Sequence, residues 1–166
     1  MTELLAALFA EHYRALVRML YRRTGDVDRA EDLAQETFAR AAQQGAPRSA
    51  RSWLYAVALN LLRDEARSDV RRERRLVLVA HDEEAQLAPA PDAAIERAER
   101  EARVRTALDR LSVRDREVLL LKAEGLDYDE IAAATGLSRG AIGTTLARAR
   151  RRFVQAYDGG EASDVA

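Results

Sequence analysis

The chain contains no cysteine, and its 166 residues include only 8 glycines, 3 prolines and 5% aromatic side chains. The absence of cysteine excludes disulfides, thiolate nucleophiles and zinc sites built on cysteine. Only His12 and His81 could supply imidazole, and because they lie far apart we predict no metal site, no cofactor and no catalytic residue. No apolar run is long enough to be a signal sequence or to span a bilayer, which predicts a cytoplasmic protein.

Good helix formers dominate the composition. Hydrophobic residues make up 48% of the chain, much of it alanine and leucine, and few β-branched or aromatic side chains are available to build sheets. The sequence therefore predicts an all-α protein. The formal net charge is −1, which does not by itself indicate binding to nucleic acid.

Two small helical domains joined by a flexible linker are predicted. Residues 1–75 contain three amphipathic helices; Asp28 is expected to cap the second, whose inner stripe is Ala30, Leu33, Ala34, Thr37, Phe38 and Ala41. In the acidic segment 76–93 the periodicity fades, and Pro89 and Pro91 forbid a continuous helix. Residues 94–157 hold four more helices, and residues 158–166 are predicted to form a disordered tail.

The last two predicted helices flank a tight turn, Gly136-Leu137-Ser138, in the arrangement of a helix-turn-helix. The second of them would bury apolar residues on one side. Its other side carries small residues first and arginines later: Gly140, Thr144, Ala147, Arg148 and Arg151. Small residues allow the backbone to approach the major groove, and arginines reach the flanking phosphates. A plain helical hairpin with a solvated arginine face would show the same pattern.

Two polar faces are predicted in the first domain. The third helix carries a polar and basic stripe that begins near Trp53 and Tyr55: Asn60, Arg63, Asp64, Arg67, Arg71 and Arg74. Such a stripe suits single-stranded DNA, because bases stack on aromatic rings while arginine follows the backbone, but it could equally be a solvated face. The second helix has an acidic outer face, which could meet a basic partner or only keep the helix soluble: Glu31, Asp32, Gln35 and Glu36.

Three segments, in this order, resemble RNA polymerase sigma factors of the extracytoplasmic-function (ECF) subfamily. Residues 29–40 (RAEDLAQETFAR) resemble the signature that docks on the polymerase clamp helices. Residues 52–60 (SWLYAVALN) resemble the segment that opens and reads the minus-ten element. Residues 107–121 (ALDRLSVRDREVLLL), followed by 128–132 (YDEIA), resemble the domain that binds the minus-thirty-five element. The resemblance covers nearly the whole chain outside the linker and the tail.

The resemblance implies a site for each partner. The β′ clamp helices of core polymerase would be met by Glu31, Asp32, Gln35 and Glu36. The minus-ten strand would be bound by Trp53, Asn60, Arg63, Asp64 and Arg67. The minus-thirty-five element would be bound by Arg139, Gly140, Gly143, Thr144, Arg148 and Arg151. The resemblance also implies contact with the β subunit and regulation by an anti-sigma factor.

One departure from the family and two alternative functions stay open on the sequence. Many relatives carry basic residues inside the recognition helix where this chain has Gly143 and Thr145, which bears on its promoter preference. A one-component helix-turn-helix regulator would need a ligand pocket in the first domain. A sigma-like interaction protein would keep the acidic face and lose DNA binding. An enzyme is the class that the residues support least.

Overall fold

The computed structural model describes residues 3–45, 49–76 and 91–161, which form seven α-helices and no strand. The N-terminal domain consists of α1 (Glu3–Thr24), α2 (Val27–Gln44) and α3 (Ala50–Leu76). The C-terminal domain consists of α4 (Asp92–Asp109), α5 (Val113–Ala123), α6 (Tyr128–Thr135) and α7 (Arg139–Glu161). The predicted all-α class is confirmed.

Helix α2 follows its predicted pattern residue by residue. Its buried residues are the six of the predicted inner stripe, which packs against α1 and α3. The predicted N-cap was wrong, because Asp26 and not Asp28 caps the helix by accepting a hydrogen bond from the backbone N–H of Arg29 at 3.1 Å. Asp26 has the extended backbone that a cap requires, whereas Asp28 lies inside the first turn.

The apolar spacing of the third helix predicts an inner stripe of Leu54, Val57, Ala58, Leu61 and Leu62, but α3 is buried on a wider face than this stripe. Tyr55 and Leu59 are almost completely buried, with exposed fractions of 1% and 2%. The cause is that α3 packs against α1 and α2 of its own domain and also against α6 of the C-terminal domain. Burial raises the pKa of the Tyr55 hydroxyl to about 12. The two domains therefore share one hydrophobic core.

The helices of the C-terminal domain begin and end at residues that commonly cap helices. The side chain of Ser112 caps α5 by accepting from the backbone N–H of Asp115 at 3.2 Å. Asp127 and Glu130 form a reciprocal capping box at the start of α6. Gly136 ends α6 in the left-handed conformation, with φ of 74°, so the chain can turn directly into α7.

The predicted domain boundaries need correction at the tail and at the linker. Helix α7 continues to Glu161, so the predicted disordered tail, 158–166, is wrong for residues 158–161. Extending an existing helix is easier than starting one, because each added residue gains a hydrogen bond, and this carries α7 through Gly159 and Gly160. The predicted linker, 76–93, is wrong at both ends, because α3 includes Leu76 and α4 begins at Asp92. Residues 77–90 of the predicted linker and residues 162–166 lie outside the described residues.

A buried histidine makes the stability of the fold depend on pH. His12 is 8% exposed, and burial lowers its pKa below the usual 6.5, with Glu11, Arg51 and Glu130 as its charged neighbours. The folded state binds fewer protons at His12 than the unfolded state does. The contribution of His12 to the free energy of unfolding is therefore complete above pH 6.5, and it falls as the pH drops toward the pKa of His12 in the folded state. We expect the urea midpoint to decrease between pH 7 and pH 5. The midpoint of His12→Gln should change less over this range; an equal decrease in both proteins would contradict the assignment.

Candidate nucleic-acid interface

The four residues predicted to dock on polymerase share one exposed surface. Glu31, Asp32, Gln35 and Glu36 are all exposed on the face of α2 opposite the buried stripe. Glu36 accepts a hydrogen bond from Arg40 at 2.9 Å, one helical turn later. The structure therefore brings the predicted set together as an acidic face, and packing of the fold uses none of the four side chains.

The polar stripe of α3 is also assembled. Asn60, Asp64 and Arg67 are exposed, while Arg63 is partly buried. Arg63 donates a hydrogen bond to Oδ1 of Asn60 at 3.1 Å, which joins two members of the predicted minus-ten set. Trp53 is partly buried against the hydrophobic core, so it contributes to packing as well as to this surface.

Arg63 is held by the other domain. Its Nε donates to Oε1 of Glu117, on α5, at 2.6 Å, and its second nitrogen donates to the other carboxylate oxygen. The Glu117 side chain is only 6% exposed, and its hydrogen bonds raise the pKa of Arg63. Arg63 is the most buried basic group among the described side chains of the stripe, which do not include that of Arg74, and it is already bound to a carboxylate.

The N-terminal half of α7 presents an open surface. A side chain added at Gly140 would meet no atom within 4 Å, and Thr144 and Arg151 are exposed along the helix. Thr144 uses its hydroxyl to donate to the backbone carbonyl of Ala141 at 3.1 Å. Arg139 forms an exposed ion pair with Asp129, at 2.6 Å. Four of the six predicted minus-thirty-five residues therefore lie on solvent-facing positions of α7.

Gly143 and Thr145 do not lie on this outer surface. A Cβ built on Gly143 would lie 3.6 Å from the ring of Tyr128, on α6, so Gly143 faces its own domain. Thr145 is 4% exposed and belongs to the interior. Position 145 therefore lies on the inner side of α7, and the departure from the family at Thr145 leaves the residues of the outer face unchanged.

Arg148 has a partner inside the C-terminal domain. Its two donating nitrogens lie 2.6–3.2 Å from the carboxylate oxygens of Asp115, whose side chain is fully buried. Arg152 donates to the same carboxylate at 3.0 Å. The hydrogen bond from Arg148 holds the pKa of Asp115 below its usual value. Thus Arg148, predicted to contact DNA, joins α7 to α5 in this structure.

Sequence reasoning missed Asp115 and Glu117 as functional candidates. Both lie in residues 107–121, which the family resemblance assigned to the minus-thirty-five domain without giving either carboxylate a role. Their partners are Arg148 and Arg63, which are 33 and 54 residues away along the chain. No local pattern relates residues at such separations.

The described residues contain neither a metal site nor a membrane span. No three histidine, aspartate or glutamate side chains gather there as metal ligands would. None of the described helices combines the length and the apolar character needed to cross a bilayer.

Two family models match the two domains in order. Residues 8–72 match Sigma-70 region 2, and residues 101–153 match Sigma-70, region 4. The first match contains the acidic face of α2 and the stripe of α3. The second contains the helix-turn-helix and Asp115.

Several relatives are sigma factors. The chain is 30% identical to RNA polymerase sigma factor YlaC of Bacillus subtilis, and the match covers 86% of this chain and 86% of YlaC. It is 36% identical to ECF RNA polymerase sigma factor EcfG of Rhodopseudomonas palustris, over 78% of this chain and 72% of EcfG. It is 33% identical to ECF RNA polymerase sigma factor SigE of Mycolicibacterium smegmatis, over 88% of this chain but 58% of SigE.

Solved structures of similar fold agree. CnrH, in complex with the cytosolic domain of CnrY, superimposes with a TM-score of 0.63 and 27% identity, over 93% of this chain and 88% of CnrH. The sigma factor RpoE of Bartonella quintana, in complex with the anti-sigma factor NepR, gives a TM-score of 0.60 and 25% identity, over 95% and 98%. With two sigma regions in order and relatives aligned along most of their length, the chain belongs to the ECF subfamily of RNA polymerase sigma factors.

Proposed function

We propose that this chain binds core RNA polymerase in the cytoplasm and directs it to promoters, as an initiation factor that supplies no catalytic group of its own. The observation that carries the proposal is that the acidic face of α2 and most of the polar stripe of α3 are exposed, whereas Arg63 and Trp53 also take part in pairing or packing. The faces of α2 and α3 lie opposite buried apolar stripes. Exposed charge with no structural task, in a member of this family, is what recognition requires.

The acidic face of α2 is proposed to meet the β′ clamp helices. Asp32 and Gln35 lie near its centre, flanked by Glu31 and Glu36. A face of one charge sign steers the encounter with a basic partner and rejects acidic ones. Because all four side chains are exposed, docking does not require α2 to rearrange.

The stripe of α3 is proposed to hold the minus-ten strand. Asn60, Arg63 and Asp64 would border the pocket for a flipped base, and Arg67 would contact the backbone. Capturing an unpaired base offsets an unstacking cost of roughly a few kcal/mol. Trp53 would support strand separation. Arg63 must exchange Glu117 for DNA before it can take part.

The outer face of α7 is proposed to read the minus-thirty-five element. Arg139 and Arg151 would contact phosphates, and the open space at Gly140 would allow close backbone approach. Thr144 lies between them and can reach a base edge or a phosphate. We propose that groove shape and phosphate contacts dominate this recognition, with Arg148 supporting the helix from behind.

An anti-sigma factor is proposed as the regulatory partner. RpoE of Bartonella quintana was solved with the anti-sigma factor NepR, and CnrH with the cytosolic domain of CnrY. The same fold in this chain supports a partner of the same kind. Run-off transcription with purified core polymerase on a genomic promoter library tests the whole function, and no transcript above that of core polymerase alone would refute it.

Asn60→Ala is expected to leave core binding intact and to reduce open-complex formation. Because base capture itself is impaired, the loss should persist on a template whose minus-ten region is already unpaired. Trp53→Ala should instead regain much of its activity on that template, since its proposed task is strand separation. Permanganate reactivity of unpaired thymines measures opening of the duplex template, and run-off transcription measures activity on the template that is already unpaired.

Gln155→Ala, which removes an exposed amide from the far end of α7, is the matched control for Asn60→Ala. Thermal melting of Trp53→Ala must accompany the assay, because Trp53 also packs against the core. Wild-type permanganate patterns in both α3 variants would show that this helix does not handle the minus-ten strand.

A further inference from the structure

The ion pairs that the structure describes between the two domains share one polarity. Among the described residues, every ion pair across the domain boundary joins an arginine of the N-terminal domain to a carboxylate of the C-terminal domain. The arginines are Arg18, Arg22, Arg23, Arg51 and Arg63. The carboxylates are Asp109, Glu117, Glu124 and Glu130. These four carboxylates, with Glu101, which accepts a hydrogen bond from the hydroxyl of Tyr21 at 2.7 Å, are called the inner acidic face.

Two carboxylates of the inner acidic face have their hydrogen-bond partners in the N-terminal domain. The Glu124 side chain is fully buried and accepts from Arg18 at 2.7 Å and from Arg22 at 2.6 Å. Glu117 is nearly buried and is paired with Arg63. A buried carboxylate is costly unless cations pair with it, so both groups favour the closed arrangement as long as their arginines are present.

The inner acidic face covers part of the surface proposed for DNA. Arg63 belongs to the polar stripe of α3, where it donates to Asn60 and to Glu117 at the same time. A carboxylate accepts two parallel hydrogen bonds from a guanidinium in the same fork geometry as a phosphate does. Glu117 therefore occupies the position at Arg63 that a backbone phosphate would take.

Beside the contact between Arg63 and Glu117, the surface proposed for DNA is still accessible. A groove of about 690 Å³ runs between α3 and α5, with Leu59, Leu62 and Leu120 among its apolar residues. Arg67 and Arg71 lie on its α3 side and are exposed, and Arg116 lies on its α5 side. A strand can thus reach Arg67 and Arg71 before Arg63 is released.

We propose that the inner acidic face is an internal competitor of promoter DNA for the arginine surface of the N-terminal domain. The proposal rests on the proposed function, which assigns the α3 stripe to the minus-ten strand. In the free factor the closed arrangement keeps Arg63 bound to a carboxylate, which lowers the affinity for single-stranded DNA. Any partner that separates the domains then exposes the DNA surface and the inner acidic face together.

The first test removes negative charge from the inner acidic face. The double variant Glu117→Gln, Glu124→Gln keeps both side-chain shapes and removes both charges. We expect a larger radius of gyration in X-ray scattering, and roughly 10-fold tighter binding of a short fluorescein-labelled oligo(dT) strand, the gain of one charged contact. Glu96→Gln with Glu99→Gln removes the same charge from exposed positions on α4 and is the matched control.

The second test replaces arginines of the N-terminal domain in place of the carboxylates with which they pair. Arg18→Gln with Arg22→Gln leaves Glu124 buried without its cations in the closed form, which should raise the population of separated domains against the hydrophobic core that they share. Both arginines lie outside the α3 stripe and are partly exposed, so each domain should still fold. We expect tighter binding of oligo(dT) although two positive charges have been lost. General electrostatic attraction predicts the opposite sign.

Each outcome decides the proposal. Tighter binding in both double variants, reversed when Arg63→Ala is added, supports it. Variants that stay compact and bind oligo(dT) no more tightly than the wild type does overturn the proposal. If the wild-type chain still supports run-off transcription, the proposed sigma function stands without the internal competitor. Expanded variants that bind no more tightly, or gain affinity independently of Arg63, overturn both the competition and the assignment of the α3 stripe to DNA.

Discussion

Replacing Asp32 by Arg and Gln35 by Ala is expected to reduce binding to core polymerase by at least roughly 100-fold, because an arginine facing a basic partner costs several kcal/mol. The two side chains lie in the middle of the acidic face and are exposed, so their loss acts on the partner and not on the core of the domain. Binding should be measured with purified core enzyme, by titration with a labelled factor.

The fold should tolerate this change. Arg at position 32 would lie one turn from Asp28 and one turn from Glu36, both favourable neighbours on a helix. The free energy of unfolding should therefore change by within about 0.5 kcal/mol. Asp28→Arg with Gln43→Ala makes the same chemical change at exposed positions near the two ends of α2 and should bind normally. Normal affinity of the Asp32 variant would remove α2 from the polymerase interface.

Local structure could be predicted from the sequence because local rules determine it. The six buried residues of α2 were all identified from their spacing, since one amphipathic helix has one apolar side. Ser112, Asp127 and Gly136 mark helix ends through contacts with residues three or four positions away. Each of these signals is complete within a single turn of helix.

Contacts between distant segments could not be predicted in the same way. Periodicity shows that α3 has an apolar side but not that α6 covers a second side, and this is why Tyr55 and Leu59 were missed. Likewise Arg63 and Arg148 were interpreted as free cations. An arginine with a buried carboxylate partner and an arginine exposed to solvent look identical in a helical pattern.

The two hidden pairs differ in what they imply for DNA binding. Glu117 reaches Arg63 across the domain boundary, so domain separation can break that pair. Asp115 reaches Arg148 and Arg152 within one domain, so this cluster persists when the domains separate. The first pair can regulate access to DNA, whereas the second fixes the shape of the DNA-binding domain in both states.

The Asp115 cluster leads to the prediction that Asp115→Asn strengthens non-specific binding to duplex DNA while weakening the fold. A neutral amide holds two guanidinium groups less tightly, which frees Arg148 and Arg152 to reach phosphates. Each added phosphate contact steepens the dependence of log K on log salt by about 0.9, so the slope should steepen by up to about 2. Because phosphate contacts favour all sequences equally, the ratio of specific to non-specific binding should fall.

The stability of Asp115→Asn is the second quantity to be measured. Losing hydrogen bonds to a buried charge costs about 1.5–3 kcal/mol, and we expect the lower end because both guanidinium groups are partly exposed. Asp158→Asn, an exposed change on α7, the helix of Arg148 and Arg152, should alter neither the salt slope nor the melting temperature. Arg148→Ala should lower the melting temperature but leave the slope of the wild-type factor nearly unchanged, because Arg148 is already bound to Asp115. A shallower slope in Arg148→Ala would show that Arg148 leaves Asp115 to bind DNA, and would refute this role for the cluster.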